Sequence, residues 1–156
     1  MKNLELNSST ELDSLLQQLS AHTGYTSPTD NYRHLKIIFD VIRQYSSFEE
    51  AIKFNEILPL PFKAIFLDAW HIPSGDRQSF ESIEQLAEVI AQHEYSDLST
   101  AEARQLLRKV FTFLGYFTPP KRMQEGLSFL PSEFRSLLLH DPSLRYAYSD
   151  TCIWLS

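Results

Sequence analysis

Two stretches of this chain follow one plan. The sequence "ILPLPFKAIFL" fills residues 57–67 and "FLPSEFRSLLL" fills residues 129–139. Each writes Leu-Pro, a phenylalanine three residues after the proline, a basic residue, and an apolar run. Leu58 and Leu130 stand 72 residues apart, and the same offset continues upstream without a gap. It pairs Leu35 with Leu107, Ile38 with Val110, Phe39 with Phe111 and Ile42 with Leu114. It also pairs Ser27 with Ser99 and Asp30 with Glu102, residue types that start helices. A fixed period of this kind is the mark of a repeated supersecondary unit. One such unit can hardly bury a wide apolar stripe alone, whereas two stacked units cover each other. The expected fold class is all-α: two tandem three-helix repeats packed as a pseudo-two-fold helical bundle. An N-terminal helix, a connecting helix and an extended C-terminal tail complete it.

The boundaries follow from local chemistry. Thr10 and Asp13 form a capping pattern ahead of Leu12, Leu15, Leu16 and Leu19, predicting a first helix that Gly24 ends. Ser27, Pro28 and Asp30 open the second helix, with Leu35, Ile37, Ile38, Phe39, Val41, Ile42 and Tyr45 as its apolar face. Ser47 and Glu50 open a third. Pro59 removes an amide donor and forces a corner, after which a short apolar helix runs to about Trp70. The pattern predicts a connecting helix over about 79–93 and a sixth helix capped by Ser99. A seventh is capped by Thr118 with Pro119 in its first turn, and an eighth starts at Pro131. Repeat one spans about 27–70, repeat two about 99–141 and the tail 142–156, all within one domain. The second and sixth helices are expected to meet at the centre.

The chain has 156 residues, 43% of them hydrophobic and 13% aromatic, enough for a core without disulfides or metal. Its net charge of −6 supplies no basic excess for a phosphate backbone, so no nucleic acid is expected. No apolar run approaches the roughly 20 residues of a membrane-spanning helix. The opening "MKNLELNSSTELDS" lacks the apolar segment of a signal peptide. A lone cysteine, Cys152, suits a reducing compartment. Together these read as a soluble cytoplasmic protein. Charge is uneven: residues 71–100 carry six acids against Arg77, whereas 101–141 carry six basic residues against four acids. Such an asymmetry steers association, or is simply that of solvated helix faces.

The repeated block resembles a known family. The "LP…F" corners, the "AW-H-I-P" after the first copy and the "SFESIEQLAEVIA" connector are similar to the bacterial family called domain of unknown function 2267. The resemblance runs from about Tyr32 to Leu139. It implies a small, soluble, all-helical protein of uncharacterised activity, and it brings no catalytic residues. The N-terminal helix and the residues after Asp141 fall outside it.

Chemistry has little purchase on this sequence. The four glycines stand far apart, so no glycine-rich loop cradles a phosphate, and no nucleophile, metal-ligand or dinucleotide motif occurs. No cofactor and no metal are expected. Asp68 and His71 are the candidate catalytic pair, a carboxylate placed to orient an imidazole; the plainer reading is a histidine favoured by a helix C-terminus. His140–Asp141 is a similar pair at a helix end. Cys152 has no identifiable base to activate it. Lys121, Arg122, Arg104 and Arg108 form either an anion patch or a solvated face. Phe39, Phe62, Phe111 and Phe134 are candidate lining for an apolar ligand pocket between the repeats, or plain core. Tyr146, Tyr148 and Trp154 give the tail an apolar character that needs cover, from its own bundle or from another chain. The leading expectation is a non-enzymatic protein-interaction module, binding a protein partner or itself. A small apolar-ligand binder is the alternative, and an enzyme using Asp68 and His71 is the third reading.

Overall fold

In a computed structural model the described residues are 2–68 and 80–130, with side chains described from Thr10 onward. They form seven helices, and no strand occurs among them. The helices are α1 (Lys2–Thr23), α2 (Pro28–Tyr45), α3 (Phe48–Glu56), α4 (Leu60–Leu67), α5 (Ile83–Ala91), α6 (Thr100–Leu114) and α7 (Pro120–Gly126). The all-helical fold class stands, and no helix among the described residues is long and apolar enough to cross a membrane.

The caps explain most of the boundaries. Ser27 Oγ accepts from the Asp30 amide, and Pro28 fills the first helical position of α2. Ser47 with Glu50 and Ser99 with Glu102 form reciprocal capping boxes, each satisfying two amide donors that a helix start leaves open. Gly24 takes φ +83° after α1, a left-handed conformation that glycine adopts without steric cost.

Four boundaries differ from the sequence reading. First, α1 begins at Lys2, so Thr10 is interior. Neither glycine nor proline precedes it, and a capping pattern does not stop a helix that can propagate through it. Second, α4 ends at Leu67, with Asp68 already extended. Third, α5 begins at Ile83, capped by Ser82 accepting from Gln85. Phe80 is buried ahead of it and stacks on Tyr45 at 4.7 Å. Fourth, Pro119 rather than Thr118 stands at the start of α7. The Thr118 hydroxyl donates instead to the Ile57 carbonyl, 3.0 Å away, tying the corner after α6 to the corner before α4.

The helix packing is consistent with the repeat. Both α2 and α6, then α3 and α7, start 72 residues apart. The equivalent helices α3 and α7 pack against each other. Phe54 on α3 meets Phe129 at 5.5 Å. Exchanging the two copies turns that pair into Gly126 and Ile57, and those two residues also face each other. The central contact is nevertheless not α2 against α6. The helix α1 packs on both of them, and α6 lies mainly against α5 and α1. An added helix with its own leucine stripe (Leu15, Leu16, Leu19, all buried) takes the space between the two long helices.

Departures from the repeat mark where α1 docks. Asn31 stands where the second copy has Ala103, and both are buried. Asn31 Oδ1 accepts from the Thr23 hydroxyl at 2.9 Å. Its Nδ2 donates to Ser20 Oγ and to the Tyr25 carbonyl, each at 2.8 Å. This buried amide satisfies the end of α1, and position 103, at the same offset of 72, carries an alanine instead.

Candidate functional site

The richest cluster of polar side chains lies in a groove of about 440 Å³ along the outer face of α2. Ile37 forms part of its floor, Tyr32 and Tyr95 stand in its walls, and Asp68 closes one end. Asp40 is the hub. Its carboxylate accepts from Arg43 Nη2 at 3.0 Å, from His93 Nε2 at 3.0 Å and from Gln44 Nε2 at 3.3 Å. Arg43 Nη1 also donates to the carbonyls of Phe66 and Asp68, satisfying acceptors that the end of α4 leaves open. One carboxylate and one guanidinium thus join α2, α4 and the turn after α5.

His93 and Asp40 have the distance of a catalytic dyad but not its freedom. His93 Nδ1 accepts the Tyr95 backbone N–H at 3.2 Å, which puts the ring hydrogen on Nε2, facing Asp40. Both ring nitrogens are engaged, so neither offers a lone pair to a substrate proton or a metal ion. The pair fixes the turn after α5 onto α2. Among the described residues no group of three histidine, cysteine or carboxylate side chains is placed to hold a metal ion.

Asp68 sits at the rim of this groove, where Lys36 Nζ lies 3.5 Å from its carboxylate. His71 lies outside the described residues, as do Phe134, Tyr146, Tyr148, Trp154, Cys152 and the His140–Asp141 pair. Phe39, Phe62 and Phe111 are all fully buried. Phe39 meets Phe62 edge-on at 6.4 Å, and Phe54 bridges Phe39 and Phe111. None of the three lines the α2 groove, the groove of about 520 Å³ between α3 and α7, or the smaller one beside Gly24. Arg104 of the basic patch is ion-paired with Glu84.

A second polar feature is buried. His34 is 2% exposed, and neither ring nitrogen has a hydrogen-bond partner. Its ring packs edge-on against Tyr25 at 4.6 Å, and the Asp97 carboxylate stays 3.9 Å from Nε2. Burial, then the neighbouring Arg33 charge, hold its pKa below the usual histidine range, against weaker opposition from Asp97 and Asp30. The Tyr25 phenol is pushed up by burial and by Glu102, Asp97 and Asp30. The offset of 72 sets His34 opposite Leu106, a buried leucine. Histidine at a leucine position was the signal for this site in the sequence. No local spacing announced Asp40 and His93, which are 53 residues apart.

The sign of the pH dependence follows. The unfolded histidine protonates near 6.5, whereas the folded one resists. Stability is therefore complete above about pH 6.5 and falls as pH drops toward the folded pKa, by at most about 1.4 kcal/mol per pH unit. Urea titrations at pH 7.0 and 5.5 should show this loss in the natural chain and a smaller one in His34→Leu. An equal loss in both would assign the effect to other groups.

Fold and groove together define a class: an all-helical protein with an outer groove along α2 whose charged side chains are paired with one another. The family described as "Uncharacterized conserved protein (DUF2267)" matches residues 12–137, and the chain belongs to that family. The match starts at Leu12, so the greater part of α1 is included in the family unit, further upstream than the resemblance at Tyr32 reached. No curated protein matches the chain.

Proposed function

We propose that this chain is a non-enzymatic protein-interaction module acting in the cytoplasm. One observation carries the reading. The outward face of α4 is an apolar stripe of Leu60, Ala64 and Leu67, spaced i, i+4, i+7, with Leu60 72% and Leu67 43% exposed. An outward helix face is ordinarily polar, and an apolar one rimmed by charge is the feature of a docking surface. Leu67 adjoins Asp68, so the stripe runs into the rim of the α2 groove. In the second copy the offset sets Ser132, Ser136 and Leu139 at these positions, so the repeat itself does not demand leucine at 60 or alanine at 64.

The alternative reading expects a small apolar ligand between the two repeats against Phe39, Phe62, Phe111 and Phe134; the first three are packed in the core, so what supports a ligand now is the α2 groove, whose volume suits a compact molecule. The enzyme reading rests on Asp68 and His71 and has no further support. Native mass spectrometry of protein gently purified from its own host separates the three. The interaction reading expects a multiple of the 18.1 kDa chain or the chain with a second protein. A monomer carrying a few hundred extra daltons, lost on denaturation, supports the ligand reading instead. A bare monomer removes support from both and returns attention to Asp68.

A further inference from the structure

We infer that the α4 stripe is the seat of the chain's own C-terminal segment, residues 142–156, which covers Leu60, Ala64 and Leu67 until a partner displaces it. The inference rests on the interaction reading and adds the occupant of that surface. Three observations support this occupant. The first is position: the described fold ends two ring contacts from the buried side of α4. Phe129 packs on Phe54 at 5.5 Å, and Phe54 packs on Phe66 of α4 at 5.2 Å. The second is reach. Eleven residues lie between Leu130 and Pro142, twelve residue steps that span ~18 Å as a helix and ~40 Å extended. Either length covers the two ring contacts to Phe66 and leaves a remainder to pass around a helix about 10 Å across to its outward face. A segment tethered this closely meets its seat at an effective concentration of about millimolar, well ahead of a free competitor of similar affinity.

The third observation is complementarity. Residues 142–156 carry Tyr146, Tyr148, Ile153, Trp154 and Leu155, and they lie beyond the family match. The stripe offers the apolar surface such side chains need, and no described element lies over it. Lys63 and Asp68 flank the stripe, and the segment carries Arg145 and Asp150, one charge of each sign on either side.

The test uses the full chain with p-benzoylphenylalanine in place of Leu60, and separately in place of Leu67. Both positions are exposed, so the label does not disturb the core. Equal amounts of light and nitrogen-15 chains are mixed before irradiation, and the cross-linked peptides are identified by mass. The expected result is a same-isotope cross-link from either position to a peptide within 142–156, lost in Trp154→Ala. Cross-links confined to other segments, or none at all, overturn the inference and leave the stripe free for a partner. Cross-links between light and heavy chains overturn the intramolecular seat, and the interaction reading survives as self-association. Failure of the interaction reading itself shows in the native mass, not in the cross-link.

Discussion

Phe54→Ala should lower the stability of the fold by about 3–5 kcal/mol, read as a fall in the denaturant midpoint with one transition retained. Phe54 is completely buried and lies where α2, α3, α4 and α6 come together. Its ring meets Phe39 of α2 at 5.8 Å, Phe66 of α4 at 5.2 Å, Phe111 of α6 at 6.2 Å and Phe129 beyond α7 at 5.5 Å. Truncation removes the transfer free energy of a whole ring. It also leaves a cavity bounded by four aromatic residues that cannot all move inward at once. Domains of this size have total stabilities of roughly 5–15 kcal/mol, so the variant is marginal at 37 °C. A loss below about 1 kcal/mol would mean that the two copies are not held through this residue.

The second large effect is at Gly126, and its sign is the informative part. Alanine normally stabilises a helix relative to glycine, by up to about 1 kcal/mol. Here a Cβ on residue 126 meets Ile57 Cγ2 at 2.5 Å, Cδ1 at 3.0 Å and Cγ1 at 3.1 Å. Ile57 is buried and β-branched, with few rotamers in which to retreat. Gly126→Ala should therefore destabilise by about 1–3 kcal/mol, opposite to the propensity. The cycle with Ile57→Ala distinguishes overpacking from any other cause. In the Ile57→Ala background the alanine at 126 should cost little, giving a coupling of about 0.5–3 kcal/mol. Additive losses would show that α7 and the α3–α4 corner are not pressed together. The pair is the copy-exchanged mate of Phe54 with Phe129, so one junction carries two large rings and the other a glycine against an isoleucine.

Some of this was legible in the chain and some was not. The caps Ser27, Ser47 and Ser99 were readable because a capping residue and its partner are three positions apart, and the backbone between them has one solution. The apolar faces of α2 and α6 were readable from their period, and every residue assigned to them except the half-buried Tyr45 is buried. The position of α1 was not readable, because a third leucine-striped helix competes for the same apolar surface and periodicity does not rank competitors. The Asp40, Arg43 and His93 network escaped for a related reason. His93 reaches Asp40 only after α5 has folded onto α2, and nothing local in "AQHEYS" points there. Ser46 is a residue the offset alone would misjudge. Its counterpart Thr118 donates to Ile57, but Ser46 is fully buried with Oγ unpartnered, so the copy-exchanged bond is not made.

Docking through α4, onto another protein or a second copy, is what native mass tests most directly. The most direct test compares the native mass of the natural chain with that of the double variant Leu60→Asp, Leu67→Asp, both expressed in the source organism. Unchanged far-ultraviolet circular dichroism and a single cooperative transition in the variant certify the fold, whatever small shift in midpoint comes with losing the cover over α4. The natural chain should run as an assembly with a second protein or a second copy, and the variant as the bare 18.1 kDa chain. An assembly that survives both aspartates, or a natural chain that is itself a bare monomer, would contradict docking through α4.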